Sequence, residues 1–354
     1  MVAEMLWPSV PLRSEPSEPQ GTGRVPTVRY VEAGGERVSA IGLGTSQFGS
    51  RGWGYGSHYS EHDAIDIVQR ALDLGVNLVD TAEIYGLGRS ERVVGGAIAG
   101  RRTEVFLASK VFPVLPLKAV VARRAAGSLR RLGVAQMDLY QLHRPTPAVP
   151  LTEQMAAMRD LQSRRVIRHI GVSNYSLEGW QAAEGALGGP VWSNQVRFNL
   201  LDRRPLGGLA QWAAANDRVV IAYSPLAQGL LSARYDEEHR PTAIRANQSA
   251  FMPENLRLAR PLLDALREVG ARHDATPAQV ALAWLISHPN VVAIPGASTV
   301  GQLQRNAEAA DLELTDDDAH RLVQAAEEYR PIGRVEAATS LVRTRIKLKR
   351  GRRG

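Results

Sequence analysis

The chain has 354 residues, enough for one large domain or two small ones. It contains no cysteine, which excludes a disulfide framework, a cysteine-ligated zinc site and a thiol nucleophile. Its formal net charge of +7 belongs to the last twelve residues, RTRIKLKRGRRG, because they hold seven of the 43 Lys and Arg and leave 36 basic against 36 acidic residues elsewhere.

The two ends of the chain differ in composition from its body. Residues 1–26 are rich in Pro and Glu and have no apolar core, which predicts a disordered leader and not a signal peptide. Residues 331–354 form a basic C-terminal tail, for which a solvated end is favoured over contact with nucleic acid. No apolar run approaches the ~20 residues of a membrane helix, so we expect no membrane contact and a cytoplasmic location.

The body, residues 27–330, begins with a predicted hairpin and continues as one repeated pattern. Residues 28–40, VRYVEAGGERVSA, predict two short strands that turn at Gly34-Gly35 and plug the bottom of a barrel. Short apolar strands then alternate with amphipathic helices. Strands are expected at 39–44, 77–82, 105–110, 137–143, 169–174, 192–198, 219–226 and 291–296. Helices are expected at 62–74, 90–98, 117–132, 151–163, 176–186, 206–216, 261–271, 277–287, 300–307 and 315–328.

Eight alternating strands and helices predict an α/β fold of the closed (β/α)₈ type, a TIM barrel, with parallel strands and right-handed crossovers. The longest connection, from 227 to about 258, follows the seventh strand and is expected to be functional or disordered. An open doubly wound sheet is the alternative fold. That fold usually carries G-x-G-x-x-G after its first strand, whereas GLGTSQFG (42–49) has Gln47 at the third glycine position.

Ionisable side chains end three successive predicted strands. Asp80, Lys110 and His143 end the second, third and fourth strands, and Tyr85 lies on the loop after Asp80. A lysine beside a tyrosine lowers its pKa from ~10, a carboxylate holds the lysine in place, and a histidine orients a carbonyl oxygen. The set suits protonation of an alkoxide during carbonyl reduction by a hydride cofactor. A purely structural Asp80–Lys110 ion pair is the alternative, which the presence of Tyr85 and His143 in register disfavours.

Seven motifs in order resemble those of the aldo-keto reductases over about residues 28–325. They are DTAEIYG (80–86), ASK (108–110), YQLH (140–143), IGVSN (170–174), SNQVRFNLL (193–201), YSPLAQGLLS (223–232) and IPGASTVGQLQRN (294–306). The resemblance implies a barrel without a Rossmann motif and NADPH-dependent reduction of an aldehyde or ketone, reversibly. It makes Tyr85 the proton donor, with Asp80 and Lys110 tuning it and His143 positioning the carbonyl.

The resemblance also implies where the cofactor binds. Ser173, Asn174 and Gln195 would hold the nicotinamide carboxamide, and Tyr223 would stack on the ring. Arg305 lies where an arginine can pair with a 2′-phosphate, which favours NADPH over NADH, and a side chain that points to solvent is the alternative. The resemblance assigns the pyrophosphate side to Ser224, Pro225, Leu226, Gln228 and Gly229, and the adenosine end, with Arg305, to Gly296, Ser298, Gln302 and Asn306. The other implied cofactor positions are Thr45, Ser46, Arg234 and Arg245. Arg234 and Arg245 match phosphate-clamping basic residues of the long-loop branch, which includes the potassium-channel β-subunits.

The substrate is expected to be a small carbonyl compound. Trp53 and Tyr55 lie in the Gly-rich loop after the first strand and are candidates for a substrate wall, with packing as the alternative. No metal site is predicted, since His58 and His62 lack an acidic partner in the required geometry. A cofactor-sensing regulatory subunit is the rival function, but His143 favours catalysis. The oligomeric state is left open, with a monomer plausible.

Overall fold

The computed structural model of the protein describes residues 28–333. The predicted leader, residues 1–26, and residues 334–354 of the predicted basic tail lie outside the described residues. Within 28–333, no helix combines the length and the apolar composition that crossing a bilayer requires.

The predicted N-terminal hairpin is present. Strand β1 (Tyr30–Ala33) pairs antiparallel with β2 (Glu36–Ser39), and Gly34 and Gly35 form the turn in the left-handed region, with φ of 58° and 77°. The indole of Trp192 donates to the Ala33 carbonyl at 3.0 Å. Because Trp192 directly precedes a barrel strand, the hairpin covers the end of the barrel where the strands begin.

Eight parallel strands follow, each paired with the next along the chain, and close into a (β/α)₈ barrel as predicted. They are β3 (Leu43–Gly44), β4 (Leu78–Asp80), β5 (Phe106–Val111), β6 (Met137–Leu142), β7 (Ile167–Ser173), β8 (Ser193–Arg197), β9 (Val219–Tyr223) and β10 (Val291–Ala293). The first and last strands meet where Gly42 N donates to Ala293 O and Ala293 N to Ala40 O, both at 2.8 Å. The edges of the sheet are thereby paired, which removes unpaired backbone groups.

Helices surround the barrel. They are α1 (Glu61–Asp73), α2 (Arg89–Ala97), α3 (Lys118–Leu132), α4 (Leu151–Ser163), α5 (Leu177–Leu187), α6 (Leu209–Ala215), α7 (Ala243–Ala246), α8 (Pro253–Arg272), α9 (Pro277–Ile286), α10 (Val300–Glu308) and α11 (Asp316–Glu328). Local sequence sets several of their ends. Ser60 and Asp63 form a capping box at α1, as do Thr276 and Gln279 at α9. Gly133 ends α3 in the left-handed conformation.

One helix is much longer than its sequence indicates. Helix α8 begins at Pro253, whereas the pattern predicts a start at 261. Pro253 occupies the first turn, where its missing N–H costs nothing, and Pro261 is accommodated inside the helix, although the pattern predicts that the helix starts there. The long connection after β9 therefore ends at Met252, and it contains α7 and two 3₁₀ turns, Ala227–Ser232 and Ser249–Phe251.

The core consists of two layers separated by the strands. Leu78, Leu139 and Ile221 belong to the cluster inside the barrel, while neighbours of opposite parity such as Val79 and Tyr140 pack between strands and helices. Side chains two residues apart on a strand share a face. Residues 80, 141 and 223 each lie two positions after Leu78, Leu139 and Ile221. Their side chains therefore also face the barrel interior, at the end where the strands finish.

Candidate active site

Asp80, Lys110, His143 and Tyr85 come together at the carboxyl ends of β4, β5 and β6, as the sequence predicts. Lys110 is fully buried and its ammonium donates to Asp80 Oδ2 at 2.5 Å, to the Thr81 carbonyl at 2.9 Å and to Tyr85 Oη at 3.2 Å. An ammonium has three donors, so this set satisfies all of them. The buried cation is paired and hydrogen-bonded, which is the condition under which a charge is tolerated in a core.

Asp80 is held from the opposite side by two amides. Gln195 Nε2 donates to Asp80 Oδ1 at 2.7 Å, and Gln141 Nε2 approaches the same atom at 3.4 Å. One carboxylate oxygen therefore faces Lys110 and the other faces Gln195. Because the strands fix all of these positions, the carboxylate cannot rotate away from the lysine without losing charge-assisted hydrogen bonds.

Tyr85 is positioned by a short turn that is anchored to the next strand. The turn Tyr85–Gly88 contains Gly86 and Leu87 at φ of 54° and 55°. Just before it, Glu83 Oε1 accepts from the backbone N–H of Phe112 at 2.6 Å, and Glu83 Oε2 accepts from Arg124 at 3.0 Å. These contacts tie the loop after β4 to the exit of β5, which brings the phenol over Lys110.

The electrostatics of Tyr85 differ from the expectation that Lys110 would lower its pKa. Burial raises the pKa of Tyr85 more than Lys110 lowers it, so the pKa lies above the ordinary value. Burial alone would lower the pKa of Lys110, but Asp80 and then Tyr85 outweigh it and the pKa is raised. The site therefore holds a charged lysine beside a protonated phenol.

His143 is neutral at physiological pH. Burial, and then the charges of Lys110 and Arg144, lower the pKa of His143 to about 3. Its ring lies 5.8 Å from the Tyr85 ring between centroids, nearly perpendicular to it. His143 Nδ1 is buried and has no hydrogen-bond partner within residues 28–333. The imidazole is thus a neutral group next to the phenol.

The side chains implied for the nicotinamide form one hydrogen-bonded row at the same barrel end. Ser173 Oγ donates to the Gln195 carbonyl at 2.8 Å, Asn174 Nδ2 donates to Ser173 Oγ at 3.0 Å, and Tyr223 Oη donates to Asn174 Oδ1 at 2.9 Å. Asn174 itself has a φ of 62°, a conformation that Asn tolerates better than most residues. The row extends from Asp80, through Gln195, to the Tyr223 ring.

The segment after β9 has the form of a cradle for a polar group. Ser224, Gln228 and Gly229 all have positive φ, of 50°, 61° and 101°. Gln228 Oε1 is buried without a hydrogen-bond partner among the described residues. Arg245 Nε donates to the Gln228 carbonyl at 3.0 Å, so its guanidinium is held beside this turn. Pro225 and Leu226 lie between Ser224 and the 3₁₀ turn Ala227–Ser232, and Arg234 follows that turn, with Nε 3.4 Å from Ser232 Oγ.

The residues implied for the adenosine end lie at β10 and α10. Gln302 Oε1 accepts from the backbone N–H of Ser298 at 2.8 Å, and Asn306 Nδ2 lies 3.5 Å from the Gly296 carbonyl. Arg305 is on the same helix, and burial lowers its pKa. A Cβ at Gly296 would lie 2.8 Å from Gln47 Oε1, so a larger residue there would have to displace the Gln47 side chain. The donor set and the backbone conformation fit an elongated polyanionic cofactor.

Two of the implied cofactor residues in the loop after β3 differ in exposure. Thr45 is fully buried, and its hydroxyl donates to the Asp80 carbonyl and contacts Ser90 Oγ, both at 2.8 Å. Ser46 is exposed. The hydroxyl of Thr45 thus serves to fix the end of β4.

The two candidate substrate residues also have different surroundings. Tyr55 is buried, packs edge-on against Tyr59 and donates its hydroxyl to Glu61 at 3.1 Å. Trp53 is half-buried, and the Arg245 guanidinium lies 4.8 Å from its ring centroid. Tyr55 is therefore engaged in packing, and Trp53 links the loop after β3 to the one after β9.

Exposed apolar side chains lie along one side of the mouth, on the loops after β4 and β5. Leu87 is 87% exposed, and Val114, Leu115 and Leu117 are each more than two-fifths exposed. Isolated exposed apolar residues are common, but these belong to two adjacent loops at the end of the barrel that holds Tyr85. They give this side of the mouth an apolar surface.

Sequence reasoning missed three residues of the site. Gln141, two residues before His143, contacts Asp80, and Arg144 directly follows His143. Arg197 ends β8 two residues after Gln195 and is exposed. The period-two alternation of the strands could have found Gln141 and Arg197, since both share the inward face with residues already singled out.

Comparison with known proteins agrees with the fold and the motifs. The Aldo/keto reductase family matches residues 40–327. An uncharacterized oxidoreductase of Mycobacterium tuberculosis is 52% identical over 320 residues, covering 90% of this chain and 99% of that protein. The NADH-specific methylglyoxal reductase of Escherichia coli is 30% identical over 313 residues, covering 82% and 95%. An aldo/keto reductase of Klebsiella pneumoniae in complex with NADP and acetate is 33% identical, with a TM-score of 0.69 over 87% of this chain and 98% of that one.

The family match covers most of the chain and includes every motif around Asp80, Tyr85, Lys110 and His143. The eight-stranded barrel and the strand-end chemistry agree with it. The chain therefore belongs to the aldo/keto reductase family.

Proposed function

We propose that this protein catalyses the reversible reduction of an aldehyde or ketone to an alcohol with NADPH, and that Tyr85 is the proton donor. The observation that carries the proposal is the contact of one buried ammonium, Lys110, with both Asp80 and Tyr85. A structural ion pair needs no phenol, whereas a proton donor needs a cation to stabilise its conjugate base.

The proton transfer follows from this arrangement. As negative charge develops on the substrate oxygen, the Tyr85 hydroxyl donates its proton to that oxygen. The phenolate that remains is stabilised by Lys110, whose own position is held by Asp80. The raised pKa of Tyr85 keeps the phenol protonated until the substrate is bound.

His143 positions the carbonyl. Since its Nδ1 is buried without a partner among the described residues, we place the proton of the neutral ring on Nε2, from which it can donate to the same oxygen as Tyr85. The neutral form matters because an imidazolium would compete with Tyr85 as the acid. Two donors then converge on one oxygen, which fixes the carbonyl relative to the ring of Tyr223.

Residues at the carboxyl ends of β7 to β10 and in the segments that follow these strands would hold the cofactor, which when bound supplies the hydride for the carbonyl carbon. Ser173, Asn174 and Gln195 would bind the carboxamide, and the cradle after β9 would bind phosphate oxygens. Arg305 favours a 2′-phosphate, hence NADPH, and Arg245 would help to clamp the phosphates beside the turn after β9. The Klebsiella pneumoniae relative binds NADP, whereas an Escherichia coli relative is NADH-specific, so the ratio of kcat/KM for the two cofactors tests this preference directly.

The long connection after β9, with Arg234 and Arg245, supports placing the chain in the long-loop branch of the family. Retention of His143 supports turnover over a purely cofactor-sensing role. Because one relative is a methylglyoxal reductase, small 2-oxoaldehydes such as methylglyoxal are suitable first substrates to test.

The variant Tyr85→Phe tests the proposal. We expect carbonyl-dependent NADPH oxidation to fall by about 10²–10⁴-fold, the usual contribution of general acid catalysis. NADPH affinity, followed by tryptophan fluorescence quenching, should stay within a few fold, because the phenol oxygen is assigned to the substrate. Tyr30→Phe is the matched control, since it removes a hydroxyl that donates to Gly75 O at 2.9 Å in the hairpin region.

Undiminished turnover by Tyr85→Phe would refute the assigned role. Tight NADPH binding by the wild-type protein, without turnover of any aldehyde or ketone in a broad panel, would instead support the cofactor-sensing function.

A further inference from the structure

Two guanidinium groups at the mouth of the barrel have no assigned contact with the substrate or the cofactor in the chemistry described above. Arg197 is the last residue of β8, and Arg144 follows His143 at the end of β6. Both are exposed, and neither forms an ion pair with a carboxylate of residues 28–333. A positive charge without a carboxylate partner at the entrance to a site attracts anionic ligands.

Arg197 faces the barrel interior. On β8 the side chain of Gln195 lies inside the barrel, bonded to Asp80, while Val196 belongs to the layer between strands and helices. Alternation therefore turns Arg197 to the same face as Gln195, one layer above it. Its register partner is Tyr223 on β9. Arg197 thus stands at the edge of the surface on which the substrate would lie.

Arg144 approaches the same surface from the side of His143. Its guanidinium carbon lies 5.4 Å from the Phe112 ring centroid, and the Phe112 ring lies 5.8 Å from the His143 ring. Phe112 therefore holds Arg144 next to the imidazole. Arg144 helps to lower the pKa of His143, after burial and Lys110.

Both cations act to lower the pKa of Tyr223. Burial raises the pKa of Tyr223, and Arg197, Arg204 and Arg144 each lower it, Arg197 the most. The carboxylate that acts in the opposite direction, Asp202, is held by Arg204 through two hydrogen bonds of 2.7 and 2.6 Å. The positive charges of Arg144 and Arg197 are left unbalanced at this side of the mouth.

We infer that the site selects carbonyl compounds that also carry a carboxylate, bound by Arg197 and Arg144 while the carbonyl oxygen meets Tyr85 and His143. The planar guanidinium fork matches a carboxylate, and the exposed side chains of Leu87 and Val114, on the loops after β4 and β5, offer an apolar surface to a hydrocarbon or aromatic body. This assignment rests on the proposed reductase function for its turnover test, but the anion site can be measured without turnover.

The substrate pair 4-carboxybenzaldehyde and its methyl ester, methyl 4-formylbenzoate, tests the inference, because the two share the ring and the aldehyde and differ in charge. We expect the wild-type enzyme to prefer the carboxylate by about five- to thirtyfold in kcat/KM, mainly through KM, as is reasonable for two partly solvated charge pairs. The preference should shrink as salt is raised from about 50 to 500 mM.

The variants Arg197→Gln and Arg144→Gln should each reduce this preference several fold, and Arg197→Lys, which keeps the charge but not the planar fork, should retain only part of it. Arg159→Gln is the matched control, since Arg159 is an exposed arginine near the C-terminal end of α4, toward the opposite end of the barrel. It should leave the preference unchanged.

A binding measurement separates this inference from the reductase proposal. With NADP⁺ present, benzoate should bind more tightly than benzamide, and Arg197→Gln should reduce the difference several fold. If neither aldehyde is reduced but this difference is found, the reductase proposal fails and the anion site stands. Equal kcat/KM for acid and ester together with equal binding would overturn the anion site alone. A large loss of NADPH affinity in Arg197→Gln, with benzoate binding unchanged, would assign Arg197 to the cofactor and also overturn it.

Discussion

At the scale of single residues, the pairing of Lys110 with Asp80 decides whether the centre of the barrel tolerates a charge. Both side chains are buried, and their geometry satisfies the ammonium completely. A buried pair of this kind adds little to stability over apolar residues of the same size, but removing one partner leaves an uncompensated charge.

We therefore expect Lys110→Met to lower the free energy of unfolding by about 3–5 kcal/mol. The double variant Asp80→Asn/Lys110→Met should recover much of that loss, because no charge is then buried alone. Urea unfolding of the four members of this double-mutant cycle measures the coupling. Additive losses would show that the two charges are independent and would contradict the buried pairing.

His143 gives a prediction for the dependence of activity on pH. Its pKa is lowered to about 3, so acidification from pH 8 to pH 5 leaves the imidazole neutral. The kcat/KM for carbonyl reduction should consequently show no loss assignable to His143 in this range. A fall in kcat/KM with a midpoint near ~6.5, the ordinary histidine value, would show that the imidazole titrates in the free enzyme and would contradict its neutral role.

At the scale of elements, the hairpin β1–β2 is fixed to the barrel through its turn. A Cβ at Gly34 would lie 2.6 Å from Trp192 Cδ1, whereas a Cβ at Gly35 would meet nothing within 4 Å. Both glycines have left-handed φ, so they share the conformational cost of a substitution and differ in the clash.

We expect Gly35→Ala to destabilise the protein by about 1 kcal/mol from backbone strain alone. Gly34→Ala should cost a further 1–3 kcal/mol or so, because Trp192 has to move. Chemical unfolding followed by tryptophan fluorescence compares the two variants. Equal losses would mean that the turn lifts away from Trp192 at no cost, so that the hairpin is only loosely attached.

At the scale of the whole molecule, closure of the barrel depends on a close approach between the first and last strands. Gly44 N donates to the Pro295 carbonyl at 3.0 Å, and a Cβ at Gly44 would lie 2.6 Å from the Ile294 carbonyl oxygen. This junction between the first and last strands, the seam of the barrel, also includes Gly296, which lies at the predicted adenosine end of the cofactor site. We therefore expect closure and cofactor binding to be coupled through the same backbone.

Gly44→Ala should lower the free energy of unfolding by about 1–3 kcal/mol through overpacking and should weaken NADPH binding in parallel. Gly96→Ala is the control, because Gly96 lies in α2 and a Cβ there would meet nothing within 4 Å. Alanine at this position should stabilise the helix by about 0.5–1 kcal/mol. Thermal unfolding with and without NADPH measures both effects. Weaker stability with unchanged NADPH affinity would separate the seam from the cofactor site.

The order and type of the elements could be predicted from the sequence, because strand and helix periods are local properties of the chain. The bounds of α4 agree with the prediction, and those of most other helices lie within one or two residues of it. The grouping of Asp80, Lys110 and His143 was also predictable, since parallel strands bring their carboxyl ends to one face. The seven motifs identified the family for the same reason: each one is local.

Features that depend on distant parts of the chain required the folded structure. Closure of β3 on β10, the contact of Gln195 with Asp80 and the inward face of Arg197 all join residues separated by long stretches of sequence. The pKa of Tyr85 belongs here too: the neighbouring lysine was visible in the sequence, but the burial that outweighs it was not. Burial and electrostatic balance are sums over the folded surroundings, which no local pattern contains.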